Sequence, residues 1–252
     1  MENSGKSYSV SIVTATLNES ENISLFISGL NKIIEENSIN NLMELVIVDD
    51  GSTDGTIEII EKLENYSKIP IQLVKRNKRK GTVDAQISGS RIAKGDYVII
   101  IDADLQHPLK YIPEFLKMLD YNPDIVIGSR YFKNHNNKMT FSRIAMSRTA
   151  QLMAYIMLKR SRRLKDPLSG YFMAKRPYIA NLKKIKNSYK LLLYIIAEYS
   201  KLKAYQIPIA FHKRVYGKSK ITEKSIKTAI SYTQEIFIYY NLSRMAMHHK
   251  SI

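Results

Sequence analysis

Three features of the chain predict an α/β domain built on a parallel sheet with helices on both faces. Short apolar runs alternate with stretches whose apolar residues recur at helical spacing. The runs are apolar almost without interruption, as strands covered on both faces are. Polar residues gather directly after them, at Asn18–Glu19, Asp49–Asp50 and Asp102–Asp104. That is where such sheets bind ligands.

In chain order, the strand Val10–Val13 precedes a helix over Glu21–Glu35. The strand Leu45–Val48 ends in Asp49–Asp50–Gly51–Ser52–Thr53–Asp54–Gly55–Thr56 and passes into a helix over Asp54–Tyr66. Gly, Ser and Asp there suit a turn and a helix cap. Turn chemistry alone does not explain two adjacent acids, which repel unless something donates hydrogen bonds to them. The strand Ile71–Val74 leads through Lys75–Lys80, read as a solvated basic loop, into a helix over Thr82–Ala93. The strand Tyr97–Ile101, a helix over Tyr111–Tyr121 and the strand Ile125–Ile127 complete the alternation.

After Phe132 the pattern changes. A polar loop, Lys133–Thr140, enters a helix of about 19 residues starting near Phe141. Phe141, Ile144, Ala145, Leu152, Tyr155 and Ile156 are expected on its apolar face, with Arg143, Ser147 and Gln151 as a polar stripe at i, i+4 and i+8. The basic run Lys159–Lys165 follows. A second amphipathic helix is expected from Glu223 to about Met245.

The chain has 252 residues, 44% of them hydrophobic and 25% charged, which excludes a disordered protein. It has no Cys, which excludes disulfides, thiolate metal sites and a Cys nucleophile. No run of about 18 apolar residues is present to span a membrane. The N-terminus lacks the apolar core of a secretory signal, which favours the cytosol. Charge is uneven: through Phe132 there are 14 Lys/Arg against 19 Asp/Glu, a net of −5, and from Lys133 onward 25 against 4, a net of +21. Basic halves meet polyanions: nucleic acid, phosphorylated ligands or an anionic membrane surface.

Asp102 and Asp104 stand two residues apart at the end of a strand, so both side chains point to the same side. A hard divalent cation accepts one or two carboxylates together with phosphate oxygens, and the Gln106 amide lies two residues further on. The same residues also read as an acidic turn closing a strand. His107, His135 and His212 read as structural rather than as metal ligands.

Taken in order, these motifs resemble the family-2 glycosyltransferases, and within them the dolichol-phosphate mannose synthase group. The marks are Asn18–Glu19, Asp49–Asp50–Gly51–Ser52 with Asp54–Gly55–Thr56, Asp102–Ala103–Asp104–Leu105–Gln106–His107–Pro108 and Gly128–Ser129–Arg130–Tyr131. Arg143 with Ser147, Asp166–Pro167–Leu168–Ser169–Gly170–Tyr171 and Arg214–Val215–Tyr216–Gly217–Lys218–Ser219–Lys220 continue the series. The resemblance implies a GT-A fold over residues 1–221, including an interfacial helix at about 141–159, and an amphipathic helix and tail over 222–252.

It also implies roles. The nucleotide-sugar donor would be held by Ala15, Leu17, Asn18, Glu19, Asp50, Gly81, Ala103, Ser219 and Lys220. Asp102, Asp104 and Gln106 would bind Mg²⁺ or Mn²⁺ against the donor diphosphate. Arg130, Arg143 and Ser147 would grip the phosphate of a polyprenyl phosphate. Asp102, Asp104, Arg130 and Arg214 would form the catalytic set. The expected reaction transfers mannose from GDP-mannose to dolichyl phosphate, with inversion, at the cytosolic membrane face. A small membrane subunit is an expected partner, and nucleic acid is not. Physical chemistry agrees: an anionic lipid phosphate needs no general base, and Arg presents phosphate with a fixed fork of donors.

Two departures from the family pattern keep alternatives open. Leu17 stands where the family carries a ring near the donor base. Tyr194 stands where it carries an acid after Lys190–Leu191–Leu192–Leu193, and Glu198 lies one turn later. A UDP-glucose-dependent relative and one with a polysaccharide or glycolipid acceptor are therefore the alternatives. A nucleic-acid-binding protein is the alternative of another class, favoured by the basic half but lacking any RNA-recognition, KH or zinc signature.

Overall fold

The computed structural model describes residues 8–132, 141–183, 190–212, 214 and 216. The helix expected from Glu223 to Met245, with the rest of 222–252, lies outside them. A seven-stranded sheet runs through the molecule: β1 (Val10–Thr16), β2 (Leu42–Asp49), β3 (Ile71–Lys75), β4 (Tyr97–Ile100), β5 (Ile125–Ser129), β6 (Phe172–Lys175) and β7 (Ala204–Pro208). Their order is β3-β2-β1-β4-β6-β5-β7.

The sheet is not wholly parallel as expected. β6 lies antiparallel between β4 and β5, whereas β5 and β7 are parallel. β6 and β7 carry no distinctive alternation. β6 is only four residues long, and its burial comes from neighbours far away in sequence.

Period-two alternation sends neighbouring side chains to opposite faces. Val13, Val46, Val48, Val98 and Ile100 face α3 (Thr82–Ile92), α5 (Phe141–Met157) and α7 (Leu191–Glu198). Ile12, Leu45, Ile47, Ile99 and Ile101 face α1 (Ser20–Glu36), α2 (Thr56–Glu64) and α4 (Ile112–Lys117). In α1, Ile23, Phe26, Ile27, Leu30 and Ile34 are buried, three to four residues apart. Gly89 lets α3 approach the sheet, because a Cβ there would lie 2.6 Å from Val13 Cγ1.

α5 turns differently from expectation. Ala150 and Ala154 are buried with Leu158, while Leu152 and Ile156 are 59% and 63% exposed. Gln151, expected in a polar stripe, is buried; its amide donates to Tyr155 Oη at 2.7 Å and to the Lys165 carbonyl. Small residues let the helix lie close to the core, and a buried amide is tolerated once its donors are satisfied. α6 (Arg176–Ala180) closes the strand β6. Strands β1, β2 and β4 all finish at one edge, where Thr16 pairs with Asp49 and β4 runs out towards Asp102.

Candidate active site

The loops after β1 and β2 are sewn together by the polar residues that the sequence placed there. Asn18, with φ of 51°, receives a hydrogen bond from Thr53 N–H at 2.9 Å on its side-chain oxygen, and its own N–H donates to Ser52 Oγ at 2.8 Å. Asp49 accepts from Thr16 Oγ1 at 2.9 Å, from the N–H groups of Gly51 and Ser52, and from Ser52 Oγ. Asp54 accepts from the Thr56 hydroxyl and N–H and from Ser20 N–H. Burial opposes ionisation of Asp54, but these donors outweigh it and hold its pKa below the usual carboxylate value.

Asp50 is equally committed. It receives Lys80 N–H at 2.9 Å and Gly81 N–H at 2.8 Å, and pairs with Arg76 Nη1 at 3.2 Å. Internal donors therefore account for the two adjacent acids. Arg76 also reaches Asp84 at 2.8 Å, so within the segment read as a solvated loop it is instead a buried tie. Lys78, Arg79 and Lys80 are exposed.

Beyond β4 the chain turns sharply. Leu105 takes φ of 59°, an uncommon value for a side chain of its size, and this brings Gln106 N–H to 3.1 Å from Asp104 Oδ1. Burial, and then the neighbouring Asp104 carboxylate, push the Asp102 pKa up to about 7; the charges of Lys190 and Arg214 oppose that rise. A Cβ on Gly170 would lie 3.3 Å from Asp102 Oδ2 and 3.7 Å from His107 Nε2, so glycine leaves space beside this carboxylate. His107 packs against the Tyr171 and Phe211 rings. Its pKa is held well below the ordinary value by burial and then by the positive charge of Arg130, so it stays neutral.

Two arginines flank the acids. Arg214 Nη2 lies 2.8 Å from Glu19 Oε1 and 3.2 Å from Asp104 Oδ2. Asn22 donates to the other Glu19 oxygen at 2.8 Å. On the far side, Arg130 forks onto Asp166 through Nε at 2.7 Å and Nη2 at 2.9 Å. Next to it, Tyr131 Oη lies 2.7 Å from Ser147 Oγ of α5, and the Arg148 guanidinium stacks 3.9 Å from the Tyr131 ring centre.

The glycosyl transferase family 2 profile matches residues 11–182. The chain belongs to that family. It is 34% identical over 219 residues to the dolichol-phosphate mannosyltransferase of Pyrococcus furiosus, a match spanning 86% of this chain and 60% of that protein. Against the dolichol-phosphate mannosyltransferase of Saccharomyces cerevisiae it is 27% identical over 206 residues, spanning 78% and 75%. The glucosyl-3-phosphoglycerate synthase of Mycobacterium tuberculosis, solved with Mn²⁺, UDP-glucose and phosphoglyceric acid, superposes with a TM-score of 0.70 at 17% identity, over 93% of this chain and 80% of that one. The same enzyme with UDP superposes with a TM-score of 0.69 at 18% identity. The fold is GT-A.

Within this family-2 glycosyltransferase, the residues expected from the sequence fall into three neighbouring groups. Ala15 lies near the end of β1, and Leu17, Asn18, Asp50 and Gly81 belong to the loops after β1 and β2 and the loop that enters α3. Glu19, Asp102, Ala103, Asp104, Gln106 and Arg214 belong to the central acidic group, with Ala103 buried. Arg130 and Ser147 meet through Tyr131. The Arg143 side chain, Ser219, Lys220 and His135 lie outside the described residues.

The central group fits a hard divalent cation. Its donors are all oxygens, the Asp104 charge raises the proton affinity of buried Asp102, and Gly170 keeps space at Asp102. Among the described residues no three Asp, Glu, His or Cys side chains form a cluster able to hold a metal. Asp102, Asp104 and the Gln106 amide would thus be a partial shell, to be completed by diphosphate oxygens. Sequence reasoning missed Arg148 and Arg76 and gave Tyr131 and Asp166 no role. Only the order of the motif marked Asp166; nothing local signals its partner 36 residues earlier.

Proposed function

We propose that the protein transfers mannose from GDP-mannose to dolichyl phosphate, with a divalent cation, at the cytosolic face of a membrane. The observation carrying this reading is the continuity of the site: Asp102 and His107 adjoin Gly170, His107 and Arg130 share the Phe211 ring, and Arg130 leads through Tyr131 to Ser147. Acids suited to a metal-bound diphosphate thus adjoin basic and hydroxyl groups suited to a second phosphate. The two dolichol-phosphate mannosyltransferase relatives support the choice of acceptor and sugar.

In the proposed reaction an oxygen of the lipid phosphate attacks the anomeric carbon. The bond from that carbon to the diphosphate oxygen breaks, and GDP leaves with the electron pair. The lipid phosphate is already anionic, so no base is needed and neutral His107 plays no acid–base part. Arg130, Ser147 and Arg143 would hold the nucleophile in line, and attack from the face opposite the diphosphate inverts the anomeric centre. Arg214, now between Glu19 and Asp104, would turn its guanidinium to the leaving diphosphate. A bound Mg²⁺ or Mn²⁺ would supply neutralisation of developing phosphate charge. Asp50 and Gly81, tied together beside the β1 loop, would border the base, with Ala15 and Leu17 lining it.

No helix among the described residues is long and apolar enough to cross a membrane. Membrane contact is proposed through exposed Leu152 and Ile156 of α5, beside exposed Arg148, Lys159, Arg162 and Arg163. A small membrane subunit would add to that anchorage.

The test is transfer of radiolabel into the organic phase from GDP-mannose or UDP-glucose to dolichyl phosphate, with Mn²⁺ or with EDTA. The expected result is metal-dependent transfer from GDP-mannose. Productive UDP-glucose alone would make the glucosyl reading, which Leu17 in place of a ring leaves open, the correct one. Absence of transfer from both donors would refute the proposed acceptor.

A further inference from the structure

The Asp166–Pro167–Leu168–Ser169–Gly170–Tyr171 segment has no part in the steps above, although it crosses the middle of the site. It reaches the end of β5 because β5 and β6 are antiparallel neighbours. Gly128 N–H donates to the Tyr171 carbonyl at 2.9 Å, and Ser169 Oγ donates to the Gly128 carbonyl at 2.7 Å. These bonds fix the segment against Gly128, two residues before Arg130. Asp166 is then 1% exposed and accepts three N–H groups, all from Arg130: backbone N at 3.2 Å, Nε at 2.7 Å and Nη2 at 2.9 Å.

We propose that Asp166 is a positioning residue for the acceptor phosphate, acting through Arg130 without touching substrate. A carboxylate removed from water requires a charged, geometrically matched partner, and the Nε/Nη2 edge of a guanidinium provides two parallel bonds. Engaging that edge sets the plane of the guanidinium and hence the direction of its Nη1 end. Tyr131 and Phe211 flank it, each ring centre 5.5 Å from Arg130 Cζ. The group so fixed shares the Phe211 ring with His107, whose ring centre lies 5.0 Å from that of Phe211, on the acidic side, and adjoins the Tyr131–Ser147 pair on the α5 side. An asparagine at 166 offers one acceptor, and its NH₂ faces the guanidinium donors, so it cannot hold the fork. This inference rests on the reading of Arg130 as a contact of the lipid phosphate.

The experiment is a mutant cycle on the full chain with Asp166→Asn, Arg130→Lys and the double variant. The readouts are apparent KM for dolichyl phosphate, apparent KM for donor and the thermal midpoint. Asp166→Asn should raise the acceptor KM about tenfold and leave the donor KM within about twofold, and the double variant should match Arg130→Lys alone. An unchanged acceptor KM, equal shifts for donor and acceptor, or multiplying effects in the double variant would overturn the positioning role. If Arg130→Lys keeps the wild-type acceptor KM, the phosphate reading of Arg130 fails first and the inference falls with it. Should Asp166→Asn not fold, Asp166→Glu keeps the buried charge pair but displaces the guanidinium by one methylene. It must show the same acceptor-only defect, and wild-type kinetics there would refute the proposal.

Discussion

Asp104 meets three demands with one carboxylate. One oxygen accepts the Gln106 N–H across the left-handed Leu105, the other holds Arg214, and its charge raises the proton affinity of Asp102. Asp104→Ala should therefore reduce kcat at least about 100-fold by removing the proposed cation ligand and the Arg214 contact. Its thermal midpoint should stay near wild type, because Arg214 retains Glu19. An active variant would contradict the metal assignment. The pairing of Asp102 with Asp104 is legible from their spacing alone. The partner of Arg130 is not, because Asp166 lies 36 residues on and only the β5–β6 pairing brings them together.

At the scale of elements, the helix α3 and the β5–β7 edge differ in what holds them. α3 lies flat on the sheet at Gly89, and Gly89→Ala would push a methyl group into Val13 and Val48. Overpacking of that kind costs about 1–3 kcal/mol, and urea unfolding should show the midpoint fall with an unchanged slope. At the far edge, Asp124 accepts Lys203 N–H at 2.9 Å and pairs with Lys175 at 3.0 Å. Burial alone would raise its pKa, but these partners lower it below 3.8. A depressed carboxylate stabilises the fold above its unfolded pKa and loses that contribution as pH falls through the folded value. Asp124→Asn should thus flatten the decline of the thermal midpoint as pH falls below the ordinary carboxylate pKa. The elements from α1 through β5 are readable in order from apolar periodicity. β6, α7 and β7 are not: α7 is apolar all round because it is buried, so it carries no one-sided pattern.

Across the whole molecule, net positive charge is concentrated after Phe132, where it reaches +21. Leu152 and Ile156 lie one turn apart on the exposed side of α5, and the exposed Arg162 and Arg163 follow in the chain. Replacing both apolar residues with Gln should weaken sedimentation with phosphatidylcholine–phosphatidylserine vesicles at least about tenfold, given the apolar area withdrawn. Adding salt should weaken the wild-type association as well, since exposed charges are screened beyond about 8 Å at physiological ionic strength. Vesicle binding insensitive to both changes would remove α5 from the membrane face.

Taken alone, the sequence determined the α/β class, the strands that lead into the site, the positions of Asp102 and Asp104, and the family. Each is encoded by residues close in the chain, as period-two or period-3.6 burial, turn chemistry, or motifs in a set order. Tertiary structure alone decided the antiparallel β6, the commitment of Asp50 to Arg76 and Gly81, the turned face of α5 and the Asp166–Arg130 fork. These are pairings between distant segments, where the energy of a contact depends on geometry that neither segment carries by itself.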